Sequence, residues 1–133
     1  MTKTTRREFI ATASLLTLAP AYEALPMKKE KQVLAHHVFF WLKNANSKED
    51  LAKLIAGVKG LSKIETIRMI HVGVPAPTEK RDVIDDSYSV SELMFFDDEA
   101  GQKTYQDHPI HQKFIAECSP LWKKVLVYDV INA

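Results

Sequence analysis

The sequence predicts an α+β sandwich, an antiparallel four-stranded sheet covered on one face by two helices. Three observations carry this. The hydrophobic period switches between two and 3.6 in the order strand, helix, strand, strand, helix, strand. A chain of 133 residues, 46% hydrophobic, suits one compact core and leaves little room for two. With only 4 glycines and no GxGxxG or GxxxxGK[ST] segment, nothing indicates a nucleotide-binding parallel sheet.

Residues 33–43 (VLAHHVFFWLK) are β-branched and aromatic, and the turn-like Asn44-Ala45-Asn46 bounds them, so they read as the first strand. Ser47 then caps a helix with Asp50 three residues on, as in a variant capping box. Leu51, Leu54, Ile55, Val58 and Leu61 recur at helical spacing, and Gly60 is a stop signal near the end. Residues 66–74 form a second strand, ended by Pro75 and Pro77, and a polar connection leads to a third strand over 88–96. Asp97-Asp98-Glu99 place negative charge at a helix N-terminus. The helical region runs to about Trp122 with a break at Pro109, and 125–131 is the last strand. This order matches a ferredoxin-like βαββαβ sandwich.

Alternation along the first strand puts His36, Val38, Phe40 and Leu42 on one side and His37, Phe39 and Trp41 on the other. Two helices cover one face only. Phe39 and Trp41 therefore predict a second copy of the chain against the other face, a homodimer packed sheet on sheet, unless the connection over 75–86 or the C-terminal tail folds across them.

Residues 1–21 differ from the rest. Lys3, Arg6 and Arg7 lead into the apolar run 9–18 and then Ala19-Pro20-Ala21, the layout of a bacterial signal peptide. The apolar run is too short for a stable membrane anchor. Thr5-Arg6-Arg7-Glu8-Phe9-Ile10 resembles the twin-arginine export motif. Residues 22–32 read as a solvated linker and 33–133 as the folded domain; the expected location is periplasmic or secreted. The 18 basic and 17 acidic residues balance, so no global field favours nucleic acid or an anionic membrane. The single cysteine, Cys118, excludes an internal disulfide and a multi-cysteine zinc site; it sits on an apolar stripe and reads as an inert core residue.

Chemistry concentrates in Tyr105-Gln106-Asp107-His108-Pro109-Ile110-His111. On one unbroken helix Tyr105 and His111 would point about 240° apart, at about 100° per residue. Pro109 forces His108 out of helical geometry and suits the first position of a new helix, so both side chains are free to face one pocket. His111 begins the stripe that continues through Phe114, Ile115 and Cys118. Apolar walls and a helix N-terminus both favour its neutral form, which suits a general base. Tyr105 offers a hydrogen-bond donor to a carbonyl or enolate oxygen, and His36 reaches the same space if its side of the sheet is the helix side. Read locally, His108 and His111 equally suit capping and packing the helix start. His37 and His71 read as structural or interfacial. His108 and His111 lack an obvious third ligand, so no metal site is expected.

His36-His37-Val38-Phe39-Phe40-Trp41-Leu42-Lys43, Phe95-Phe96-Asp97, the Tyr105–His111 segment, Gly73 and Val127-Tyr128-Asp129 together resemble the Dabb family, the stress-responsive dimeric α/β-barrel domain, over residues 33–131. The resemblance implies protomers that pair through their sheets. Its members include a plant polyketide cyclase that performs an aldol condensation with a tyrosine and a histidine; these correspond to Tyr105 and His111, and a pocket histidine to His36. The resemblance thus implies catalytic Tyr105 and His111 and a pocket role for His36; the expected site adds Val38, Phe40 and His108 around a small carbonyl ligand, with no cofactor. The alternatives are a non-catalytic ligand-binding or stress-protective homodimer and a cofactor-independent or haem-associated oxygenase of the dimeric α/β-barrel kind.

Export predicts that the secreted protein begins at Tyr22. Intact-mass spectrometry checks this, and an exported chain retaining Met1 to Ala21 would refute it.

Overall fold

The structure, a computed structural model, describes residues 32–133; the expected leader and all but the last residue of the expected linker lie outside them. Strand β1 (Leu34–Leu42) is followed by helix α1 (Lys48–Gly60), β2 (Ile67–Gly73), β3 (Val90–Phe96), α2 (Glu99–Asp107), α3 (Pro109–Cys118) and β4 (Trp122–Ile131). The strands form one antiparallel sheet in the order β2-β3-β1-β4. This is the predicted ferredoxin-like arrangement, with the element ends shifted by a few residues.

Capping follows local chemistry. The Ser47 hydroxyl accepts the Asp50 N–H at 3.1 Å, and the Asp98 carboxylate accepts the Gly101 N–H at 2.8 Å. Gly60 is the last residue of α1, as its sequence position implies, but it ends the helix without a left-handed cap. Its backbone is right-handed helical, and the chain runs on through a 3-10 turn over Leu61–Lys63, because Leu61 is fully buried and keeps the chain against the core.

Every second residue of β1, from Leu34 to Leu42, is buried under the helices. Leu54 and Val58 of α1 and Val90, Met94 and Phe96 of β3 join this core, each contributing roughly 1.5–3 kcal/mol by burial. Gly57 sets how closely α3 approaches α1: a Cβ there would lie 2.6 Å from Cys118 Sγ and 3.2 Å from the Phe114 ring.

The helices do not reach the β4 edge. Val125, Val127 and Ile131 share the helix side with Phe40, Val38 and Leu34 through the β1–β4 register, yet they are 38–44% exposed. A cleft opens there. On the opposite face Met69, Tyr128 and Val130 are more than half exposed beside Phe39, Leu93, Phe95 and Leu126. The connection after β2 touches only one end of this face. Trp41 Nε1–H donates to Ser87 Oγ at 3.0 Å, and Tyr88 packs edge-on to Phe39 at 4.9 Å. No helix among the described residues is long and apolar enough to cross a membrane.

Candidate active site

His36 lies at the centre of the helix face of β1, 5% exposed, with Asp129 of β4 directly across in register. The pair is joined at 2.5 Å between His36 Nδ1 and Asp129 Oδ1. Asp129 is half exposed, and its carboxylate can only accept, so Nδ1 carries the proton and Nε2 is left facing inward. Glu92 of β3 meets it there, with Oε1 4.0 Å from His36 Nε2. Glu92 is 1% exposed, and its only hydrogen-bond donor of the set is the Tyr105 hydroxyl, at 2.9 Å.

Tyr105 occupies the last turn of α2 and His111 the first turn of α3. Between them His108 is extended (φ −64°, ψ 139°) and Pro109 starts the new helix. The break turns both rings to the same side, with centroids 4.7 Å apart; the Tyr105 ring is 5.5 Å from that of His36. The three side chains expected to act together therefore converge from β1, α2 and α3. They line a cleft of about 260 Å³ with Val38 and Phe40, walled by Phe114, Trp122, Val125 and Val127.

His108 does not line it. Its Nδ1 accepts the Ile110 N–H at 3.1 Å, and its Nε2 lies 3.3 Å from Glu65 Oε2. The capping reading holds for His108, since its backbone before Pro109 is extended and its ring nitrogen accepts an N–H of the new helix's first turn. A hollow of about 310 Å³ between α1 and α3 is bounded by Gly57, Lys113 and Glu117 at the surface, away from this cluster, and brings together no comparable set of groups. No group of three or more His, Cys, Asp or Glu residues is placed to hold a metal among the described residues.

Residues 34–132 match the stress responsive A/B barrel domain, Dabb. The chain belongs to the Dabb family. Among solved structures, it is similar to a Dabb-family protein with a ferredoxin-like fold from Mesorhizobium loti (26% identity, TM-score 0.63, covering 77% of this chain and 98% of that one). It also resembles a dimeric ferredoxin-like protein of unknown function from Thermobifida fusca (17%, TM-score 0.62, covering 80% and 97%). A third likeness is to a hydroxynitrile lyase from Passiflora edulis (20%, TM-score 0.66, covering 78% and 96%). The last two establish a common fold alone. No functionally curated protein matches the sequence significantly.

Within this Dabb domain, burial dominates the electrostatics. It lowers the basicity of His111, with the nearby His36 acting in the same direction and a hydrogen bond to the Gln106 backbone against it. It also holds the Tyr105 phenol protonated well above the usual range, reinforced by Glu92. The Glu92 carboxyl is pushed from 4.5 up to about 7 by burial, with the Tyr105 hydrogen bond opposing. On the open face, desolvation together with His71 and His36 lowers His37, whose Nε2 lies 2.9 Å from Ser91 Oγ. Burial raises the Cys118 thiol, as an inert core cysteine requires.

Glu92 and Asp129 are functional candidates that residue-type reasoning passed over. Glu92 was detectable: period two along β3 puts it in phase with the buried Val90, Met94 and Phe96. Asp129 had no such signal, because its importance comes from lying opposite His36.

The Glu92 shift has a stability consequence. Between pH 4.5 and about 7 the unfolded chain has lost a proton that the folded chain retains, so this contribution to stability falls as pH rises through that window and stays lost above it. The Glu92→Gln variant cannot ionise. Relative to wild type it should gain on the order of 2–3 kcal/mol between pH 4.5 and pH 8, measured by urea unfolding at both. His111 destabilises both proteins as pH falls below 6.5 and cancels in the difference. A pH-independent difference would contradict a buried, shifted carboxyl.

Proposed function

We propose that this protein is an exported homodimer whose cleft binds a small carbonyl compound and transforms it by acid–base chemistry without a cofactor. The observation that carries this reading is the convergence of His36, Tyr105 and His111 on one largely apolar cleft, with the Tyr105 and His111 rings 4.7 Å apart. In the proposed step neutral His111 takes a proton from the carbon beside the carbonyl. The C–H electrons form the enolate C=C bond, the carbonyl π electrons move to oxygen, and a hydrogen-bond donor from Tyr105 stabilises that oxygen. His36, oriented by Asp129, positions the ligand. Return of the proton from His111 completes exchange at that carbon. A hydroxynitrile lyase on the same fold is compatible with this class of chemistry and says nothing of this chain's substrate. Export is supported by the sequence of residues 1–21.

The assay is deuterium uptake at the methyl group of acetophenone in D2O, followed by NMR. His111→Ala should slow it by ~10²–10⁴-fold, and Tyr105→Phe by ~10²–10³-fold, with folding retained. Exchange no faster than in buffer, or equal in the variants, leaves the non-catalytic dimer as the reading.

For the dimer, the proposed interface is the exposed apolar sheet face, with Phe39 and Trp41 at one end and Tyr128 and Val130 across it. Sedimentation should show a dimer at micromolar concentration and a monomer for Tyr128→Asp. A wild-type monomer would overturn the assignment.

A further inference from the structure

The mechanism above leaves Glu92 without a task, although it is the most deeply buried carboxyl of the cleft. Its neighbours in register are apolar, Val38 on β1 and Val72 on β2. The titratable groups around it are few: His36 from β1 at 4.0 Å, Tyr105 from α2 at 2.9 Å, His111 from α3 on the same cleft, and Asp129 from β4 on the far side of His36. The buried side of α1 contributes Leu54 and Val58. Among the described residues, neither lysine nor arginine lines the cleft to neutralise a carboxylate.

Tyr105 has one proton to donate. Given to Glu92 Oε1, that proton is unavailable to a ligand. A carboxylic acid at the same place can instead donate its own proton to the phenolic oxygen, and at 2.9 Å the reversal requires only that hydroxyl hydrogens rotate.

We propose that Glu92 is the positioning residue for the Tyr105 hydroxyl: as the acid it donates to the phenolic oxygen and turns the Tyr105 proton toward a bound carbonyl, and as the carboxylate it takes that proton for itself. The proposal rests on the carbonyl reading of the cleft. No bond to carbon changes; one hydrogen bond reverses direction. With the carboxyl pushed to about 7, both forms are populated near neutrality, and the donor is present on the acid side.

The test reads the hydroxyl itself. Protein carrying ¹³C at the tyrosine Cζ positions is titrated between about pH 5.5 and 8.5, with the Tyr105 resonance assigned from Tyr105→Phe. The expected result is a Tyr105 shift with a midpoint near pH 7 in the wild type and none in Glu92→Gln. A Tyr105 resonance that does not respond to pH in the wild type overturns the proposal whether or not the variant folds. An identical response in a folded Glu92→Gln does the same, since it would assign the titration to His36 or His111.

Acetophenone affinity supplies the second arm. It should weaken about fivefold across the same midpoint in the wild type, the loss of one hydrogen bond, and stay flat in Glu92→Gln. A purely structural Glu92 would lower affinity in the variant without flattening its pH profile, and that outcome counts against the proposal. If Tyr105 responds as expected while acetophenone binds at no pH, control of the hydroxyl by Glu92 stands and the carbonyl reading of the cleft falls.

Discussion

The arrangement depends on the break between α2 and α3. Pro109 cannot continue a helix from His108, because its ring excludes helical geometry at the preceding residue and it has no N–H to donate. The chain answers with an extended His108, whose ring caps the new helix, and the direction of the backbone changes between Tyr105 and His111. Without that change the two side chains would project from different sides of one helix. With it, both rings lie over the β1–β4 side of the sheet, where the two-helix layer ends and a cleft can form.

That cleft also collects the molecule's least comfortable groups. A protein core usually excludes a carboxyl without a cationic partner, and burying one costs several kcal/mol in its charged form. Here Glu92 lies among Val90, Met94 and Phe96, and the fold reduces the cost by letting the carboxyl keep its proton near neutrality. The His36–Asp129 pair relieves the same problem differently, since the half-exposed carboxylate remains in contact with solvent while its partner is buried. The two arrangements hold His36 from both ring nitrogens' sides. They explain why a polar residue is tolerated at the centre of an otherwise apolar strand face.

Both faces of the sheet are apolar for separate reasons. The helix side is apolar because it forms the core. The other side carries Phe39, Phe95, Leu93 and Leu126 with no helix among the described residues to cover them, and the connection after β2 meets the Trp41 and Phe39 end. A lone domain of this size would leave much of that surface in water.

Much of this was readable from local chemistry. Alternation in β1 sorted its residues onto two faces, Ser47 and the Asp97-Asp98-Glu99 run marked helix starts, and Pro109 divided the second helical region, since each of these effects acts within a few residues. Tyr105, His36 and His111 were identified because their residue types and the break between two of them carry a chemical meaning without any partner. The role of His108 was settled by a choice between ring orientations that local pattern leaves open. Glu92 and Asp129 acquired their significance only through strand register and the docking of α2, which set Glu92 under Tyr105 and Asp129 opposite His36. The sequence by itself determined the elements, the division of β1 into two faces and the groups able to do chemistry, because those follow from periodicity and side-chain type. Which groups touch, and which proton each holds, was decided by the tertiary structure, because hydrogen bonding and desolvation depend on residues brought together from distant parts of the chain.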